Sequence, residues 1–289
     1  LSFYRMIMGL GKGVSTIKGS PYQNTFLSVF DNFNVKNFDT SEINYYPFIS
    51  VNEDLINSEL STKGGAEIFW KIDSSKQLNV TLNPDFGQIE SDEVVVNFSS
   101  VETFYSDKRP FFAENHSLFD VKGMMFRIIN TRRIGGRPDY ECSRFLEEDY
   151  CNENKIGSND IDYALRYTQK GKVDFGFLGA SERDERFSKG RDFYALRLKT
   201  KSNGLTYGYL GTYVKKSFLD DNALVNSFDF EYRPSSELRF TGNFMNSDLE
   251  EVQGYGLRTG FGYDPDKNFH SGASIYYLDK KLDINDMGY

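Results

Sequence analysis

Residues 163–177 read YALRYTQKGKVDFGF, and the fold turns on how this stretch alternates. Tyr163, Leu165 and Tyr167 fall on one side of an extended chain; Ala164, Arg166 and Thr168 fall on the other. After Gln169-Lys170-Gly171 the apolar side resumes with Val173, Phe175 and Phe177, opposed by Lys172, Asp174 and Gly176. A period of two on both sides of a three-residue polar break predicts a β-hairpin. The apolar side is mainly aromatic, while the other side carries fixed charges.

The same alternation recurs downstream. Tyr194, Leu196 and Leu198 oppose Ala195, Arg197 and Lys199, and Tyr207, Tyr209 and Tyr213 oppose Gly208, Leu210 and Thr212. Phe228, Phe230 and Tyr232 oppose Ser227, Asp229 and Glu231, and Phe240 and Phe244 oppose Arg239, Thr241 and Asn243. Tyr255, Leu257, Phe261 and Tyr263 oppose Gly256, Arg258 and Gly260, and Ile275 and Tyr277 close the series. Upstream, Ala66 to Ile72 and Leu78 to Leu82 flank a tight turn, and Tyr45 to Val51 is a further alternation broken by Pro47. Lys122 to Thr131 and Asp92 to Ser99 each read as one more strand, whereas residues 1–20 have no clear pattern.

The connections alternate in length. Those at residues 169–171, 201–204, 234–236 and 264–268 are short; those at 181–192, 215–223 and 246–253 are longer and charged. Short turns at one end and long loops at the other suit an outer-membrane barrel. The expected fold is all-β, an up-and-down antiparallel transmembrane β-barrel of which this chain is a part. A soluble sandwich is the alternative. In the barrel reading the tyrosines near strand ends form interfacial girdles, and Arg166, Arg197, Asp229, Glu231, Arg239 and Arg258 face the lumen. Mixed signs there point to charge pairing or to simple solvation of the interior.

Composition narrows the function classes. The chain holds 26 Phe and 19 Tyr against a single Trp, more aromatics than a sheet with one watery face would place. No apolar run reaches the roughly 20 residues of a membrane-spanning helix. A net charge of −8 excludes nucleic acid as a natural partner, since phosphate binding requires clustered Lys and Arg. Cys142 and Cys151 lie close together in a polar loop, which in an oxidising compartment reads as a local disulfide, two unpaired thiols being the alternative. Two cysteines without a neighbouring histidine make no zinc site, and no metal or cofactor is expected. Acidic neighbours such as Glu147-Glu148-Asp149 read as solvated loop charge, and two histidines, His116 and His270, cannot assemble a convincing catalytic triad. No signal peptide is present, so the chain reads as a piece of a longer, exported one.

One region breaks the rhythm. Asn83 to Asp120 joins a turn, Asn83-Pro84-Asp85, to a charged and aromatic block. Its residues Asn83-Pro84-Asp85-Phe86-Gly87-Gln88-Ile89-Glu90, Val94 to Asn97, Glu102 to Tyr105 and Lys108-Arg109-Pro110-Phe111-Phe112 resemble the hallmark of an uncharacterised bacterial outer-membrane barrel family. The resemblance continues at Arg132-Arg133-Ile134-Gly135 and at Leu282 to Tyr289. Members of that family usually carry an upstream module like the family-nine carbohydrate-binding domains. The resemblance thus implies outer-membrane localisation, with a glycan nearby. On this basis residues 1–60 are a poorly placed part of the barrel region and 61–289 its strands. Residues 83–120 are an inserted, plug-like segment, and 132–158 an extracellular loop. Glu102, Lys108, Arg109, Phe111, Phe112 and Glu114 are then candidates to fill the lumen, the alternative being a cap outside it. Expected partners are outer-membrane lipid and either glycans or a surface protein. Transport or translocation of a carbohydrate or other solute stands as the first functional expectation, and a structural or adhesive barrel that binds without conducting as the second.

Overall fold

The computed structural model describes residues 4–7, 12–15, 40–54, 59–84, 107–114, 116–121, 127–140, 142–144, 147–216, 222–265 and 269–289. Asp92 to Ser99, Glu102 and Phe104 lie outside them. The chain divides into two compact units, Leu1–Asp39 and Thr40–Tyr289. In the first, β1 (Tyr4–Ile7) and β2 (Lys12–Ser15) pair as an antiparallel hairpin.

The second unit is built on one all-antiparallel sheet of 11 strands in sequence order. These are β3 (Glu42–Asp54), β4 (Glu59–Lys71), β5 (Lys76–Leu82), β6 (Ile161–Gln169), β7 (Val173–Glu182) and β8 (Arg191–Ser202). β9 (Leu205–Lys216), β10 (Ala223–Tyr232), β11 (Leu238–Leu249), β12 (Val252–Tyr263) and β13 (Ser271–Leu278) complete it. The up-and-down meander is therefore as its alternation required. The sheet begins at Glu42, inside the stretch 1–60 that the sequence leaves poorly placed. β3 is an edge strand, where the missing N–H of Pro47 is tolerated.

Register puts the aromatic residues on one face. Leu78 pairs with Tyr167, Tyr167 with Phe177, Phe177 with Leu196 and Leu196 with Gly211. Neighbouring rings touch along that face, as in Tyr167–Phe175, Tyr194–Tyr213 and Tyr209–Phe228. Among the described residues nothing covers this face, and Tyr163, Tyr207, Phe228, Phe261 and Tyr277 are exposed. The opposite face is the covered one. Phe111, Phe112, Leu118, Phe119 and Ile134 pack there with Ala164, Leu178, Ala180, Phe193, Ala195, Leu210 and Val214. Two short helices, α1 (Pro110–Ala113) and α2 (Glu148–Glu153), belong to the long β5–β6 connection.

Two expectations need correction. The long loop expected at 246–253 is a two-residue turn: β11 and β12 pair up to Leu249 and Val252, with Glu250 and Glu251 at φ 49° and 64°. Two left-handed residues match a type I′ hairpin. Strict short–long alternation fails at this point, because Glu-Glu offers none of the Asn or Gly that announces such a turn. The Asn203-Gly204 turn, at φ 47° and 78°, carries that signal in full. The second correction concerns the strand expected over Lys122 to Thr131. Residues 122–126 lie outside the description, and Asn130 caps a 3₁₀ turn at Thr131–Arg133, its side chain accepting from the Arg132 N–H.

Candidate functional site

The covered face and the segments lying on it form the candidate site. Arg109 anchors the insertion internally. It bonds both oxygens of Asp107, its Nη1 donates to the Ile134 carbonyl at 2.8 Å, and its Nη2 donates to the Thr131 carbonyl at 2.7 Å. Its guanidinium lies 4.2 Å from the Phe112 ring centroid. Burial alone would raise the Asp107 carboxyl, but bonds from Arg109 and Thr131 outweigh it and hold the pKa below the ordinary value. Proline at the first position of α1 suits a helix start, and this turn buries Phe111 and Phe112 completely or nearly so.

The sheet reaches this segment through two arginines. Arg166 on β6 donates to the Phe111 carbonyl and to Glu114 at 3.1 Å, while Asn79 on β5 donates to the same Glu114 oxygen at 2.6 Å. Arg197 on β8 grips Asp229 of β10 at 2.5 and 3.1 Å and donates to the Leu118 carbonyl at 3.3 Å. Close approach is needed here, for a Cβ on Gly176 would lie 2.9 Å from both Leu118 and Phe119.

The other predicted residues divide. Glu114, Arg166, Arg197 and Asp229 meet as charge partners. Arg109 pairs with Asp107 of its own segment at 2.6 Å. Glu231 pairs with Arg233 at 2.8 Å, at the exposed end of β10. Arg258 bonds the hydroxyls of Thr241, Tyr276 and Ser274, and among the described residues no carboxylate meets it. Arg239 and Lys108 are exposed, and Arg239 lies beside Gly262. Among the described residues, charge pairing across this face thus holds for Arg166 and Arg197 and not for Arg239 and Arg258. Cys142 and Cys151 are joined as a disulfide, beside Phe187 and Tyr140.

Sequence reasoning missed two features. The C-terminal residues return onto the covered face: Arg127 and Tyr289 exchange backbone bonds at 2.8 and 2.7 Å, and the Asn130 N–H donates to the Met287 carbonyl at 2.6 Å. Met287 is buried, and burial next to Asp139 and Asp283 pushes the Asp286 carboxyl up despite its pairing with Lys216. Gly254 was a readable hint, since a Cβ there would strike the Lys281–Leu282 backbone. The second is a bidentate pair, Arg191 on β8 to Glu182 on β7 at 2.9 Å twice, with the Gly135 N–H also donating to Glu182. It fixes the Arg132–Gly135 run to the sheet.

Comparison with known proteins adds two findings. Residues 41–174 match a family model described as a domain of unknown function, DUF5916. Curated protein sequences give no match. Among solved structures the chain is similar to OmpTΔL8, a loop L8 deletion mutant of OmpT, an outer membrane protein of Vibrio cholerae. Identity is 10%, coverage is 83% of this chain and 94% of that one, and the TM-score is 0.34. A likeness at that score decides nothing about the fold, which rests on the hydrogen-bonded register.

Proposed function

We propose that the 11-stranded sheet is wall from an outer-membrane β-barrel whose interior is filled by residues 107–114, 116–121, 127–134 and 282–289, and that the barrel does not conduct at rest. One observation carries this reading: the sheet is inverted relative to a soluble one. Its uncovered face is aromatic and aliphatic from β3 to β13, and its covered face holds Arg166, Arg197, Asp229 and Arg258. Water on the uncovered face would oppose folding, whereas lipid there would favour it by on the order of tens of kcal/mol over the whole wall.

Magnitudes also separate the two functional classes. Seating Phe111, Phe112, Leu118 and Phe119 on the sheet contributes about 2 kcal/mol each. Lifting the filling therefore costs about 8 kcal/mol before its polar bonds are counted, so spontaneous opening is too rare to support steady flux. A surface barrel that binds without conducting fits that cost. Transport of a carbohydrate or other solute requires a partner or a driving force acting on the filling.

Trp70, the single tryptophan, tests the wall. It sits on the uncovered face of β4, its indole donating to Ser41 at 3.4 Å. In liposomes containing lipid brominated near the headgroup its fluorescence should be quenched strongly; emission typical of water and untouched by bromine would sink the membrane reading. Deletion of Ser106 to Asn115 tests the filling. The intact chain, within its full-length protein, should be silent in a planar bilayer and the deletion should give discrete steps, whereas conductance alike in both would count against a sealed interior.

A further inference from the structure

Two amides interrupt the uncovered, aromatic face of the sheet. Asn226 on β10 and Asn246 on β11 are register partners there, on the same side as Phe228 and Phe244. Asn226 stands between Leu224 and Phe228, both exposed, so it lies within the apolar band and not beyond its end. Each amide is only half satisfied by the wall itself. The Tyr209 hydroxyl donates to Asn226 Oδ1 at 2.7 Å, and Asn246 Nδ2 donates to the Ser247 and Gly254 carbonyls at 3.3 Å each. Among the described residues nothing accepts from Asn226 Nδ2 and nothing donates to Asn246 Oδ1, and both side chains reach the surface. The wall thus offers one spare donor beside one spare acceptor. Phe228, Phe244 and Tyr255 are exposed around them, with the Tyr209 ring 5.0 Å from Phe228 and Tyr255 stacked on Phe244.

A donor and an acceptor side by side make a self-complementary pattern. Under a two-fold axis normal to the membrane, Asn226 of each copy meets Asn246 of the other, so one contact makes two equal bonds. Lipid tails offer such groups no partner, and a polar group left unpaired in hydrocarbon is costly. A rim of aromatic rings around a central polar pair is also the composition that protein interfaces favour. We propose that this patch of β10 and β11 is where a second copy of the chain docks, side by side in the membrane and in the same orientation. Each Asn226 Nδ2 donates to the partner's Asn246 at Oδ1, and the rings of the two rims close around the pair. The inference rests on the membrane reading above, since only a lipid-facing wall keeps water from these atoms. Headgroup water that satisfied both amides would be the competing outcome, and it predicts a monomer.

The test is single-molecule photobleaching of the labelled full-length protein in liposomes, at falling ratios of protein to lipid. Two-step bleaching should dominate at high ratio and give way to single steps on dilution. N226L and N246L should each weaken the dimer about tenfold, since hydrogen bonds between membrane segments are individually modest and symmetry removes two at once. The double variant should lose no more than either single one, because each single change already breaks both bonds. T62L, on the uncovered face of β4, should dimerise as the parent does. All of these changes set an apolar side chain against lipid, so the variants should fold, which heat-modifiable migration would verify. Quenching of Trp70 by brominated lipid in the same liposomes separates the two readings. A parent that is quenched but monomeric overturns the dimer alone, whereas an unquenched parent overturns the membrane reading with it. Additive losses in the double variant, or a dimer of unchanged strength in N226L, would also overturn the inference.

Discussion

Strands β6 to β9 and strands β12 and β13 are written in the same alternating code, yet they behave differently. On β6 to β9 the covered face is dry: Ala164, Leu178, Ala180, Phe193, Ala195 and Leu210 are buried beneath the filling, and Arg166 and Arg197 are buried with them. On β13 all eight residues are exposed, and on β12 only Gly254, Gly256 and Gly262 are buried, all on the face of Arg258. The difference comes from what lies on the sheet. Small residues at Ala164, Gly176, Ala180 and Ala195 leave room for four large apolar side chains, and the arginines among them cap the carbonyls that those side chains bring along. A polar face studded with alanine and glycine marks the place where a second layer lands.

The largest test of that contrast is truncation of the filling. F111A and F112A should each lower stability by about 3–5 kcal/mol, as expected for deleting a buried aromatic side chain. F261A, on the uncovered face of β12, removes the same atoms from an exposed position and should cost about 1 kcal/mol or less in micelles. Midpoints from heat-modifiable migration would measure all three, and equal losses would erase the distinction between a packed face and a bare one.

A smaller effect separates the arginines. R166M removes two bonds to the filling but leaves Glu114, which is half-exposed, free to be solvated. A loss of about 2–3 kcal/mol is expected, less than the roughly 3–5 kcal/mol for breaking a fully buried pair. R258M breaks bonds to exposed hydroxyls and should cost less than about 1 kcal/mol. If the two variants were equally damaged, Arg166 would be only another solvated charge.

How much of this was legible beforehand follows the same contrast. The strands and their facing could be read from alternation, because side-chain direction in an extended chain is strictly local. Phe111, Phe112 and Glu114 stood out because an aromatic, charged block fits neither wall nor free loop. Their partners on the sheet are non-local: nothing near Arg166 in sequence states that it meets Glu114 while Arg258 meets hydroxyls. The return of 282–289 was nearly as hidden, since the segment forms no strand and only Gly254 hinted at it.

Acid should act on the filling in a defined direction. The Asp107 pKa is depressed in the folded protein, so its stabilising contribution is complete above the unfolded value of about 3.9 and is lost as pH falls through the lower folded value. The stability difference between the parent and D107N should therefore be constant at neutral pH and shrink below about pH 4. A difference that persisted unchanged to still lower pH would mean that the Arg109 and Thr131 bonds do not depend on the charge.

The smallest effect lies in the turns, and it sharpens the comparison of two hairpins that share one geometry. Asn203-Gly204 and Glu250-Glu251 both adopt the left-handed pair of a type I′ turn. Asparagine and glycine enter that region at little cost, whereas a glutamate pays a steric penalty there and sets its carboxylate beside another. Replacing Glu250-Glu251 by Asn-Gly should therefore stabilise the β11–β12 hairpin by about 1 kcal/mol, and the reverse exchange at residues 203 and 204 should cost a similar amount. Hydrogen exchange at the amides of Leu249 and Val252 would show the change locally, as slower opening in the first variant. Exchange that did not slow would mean that contacts of Glu250 elsewhere offset its strained backbone.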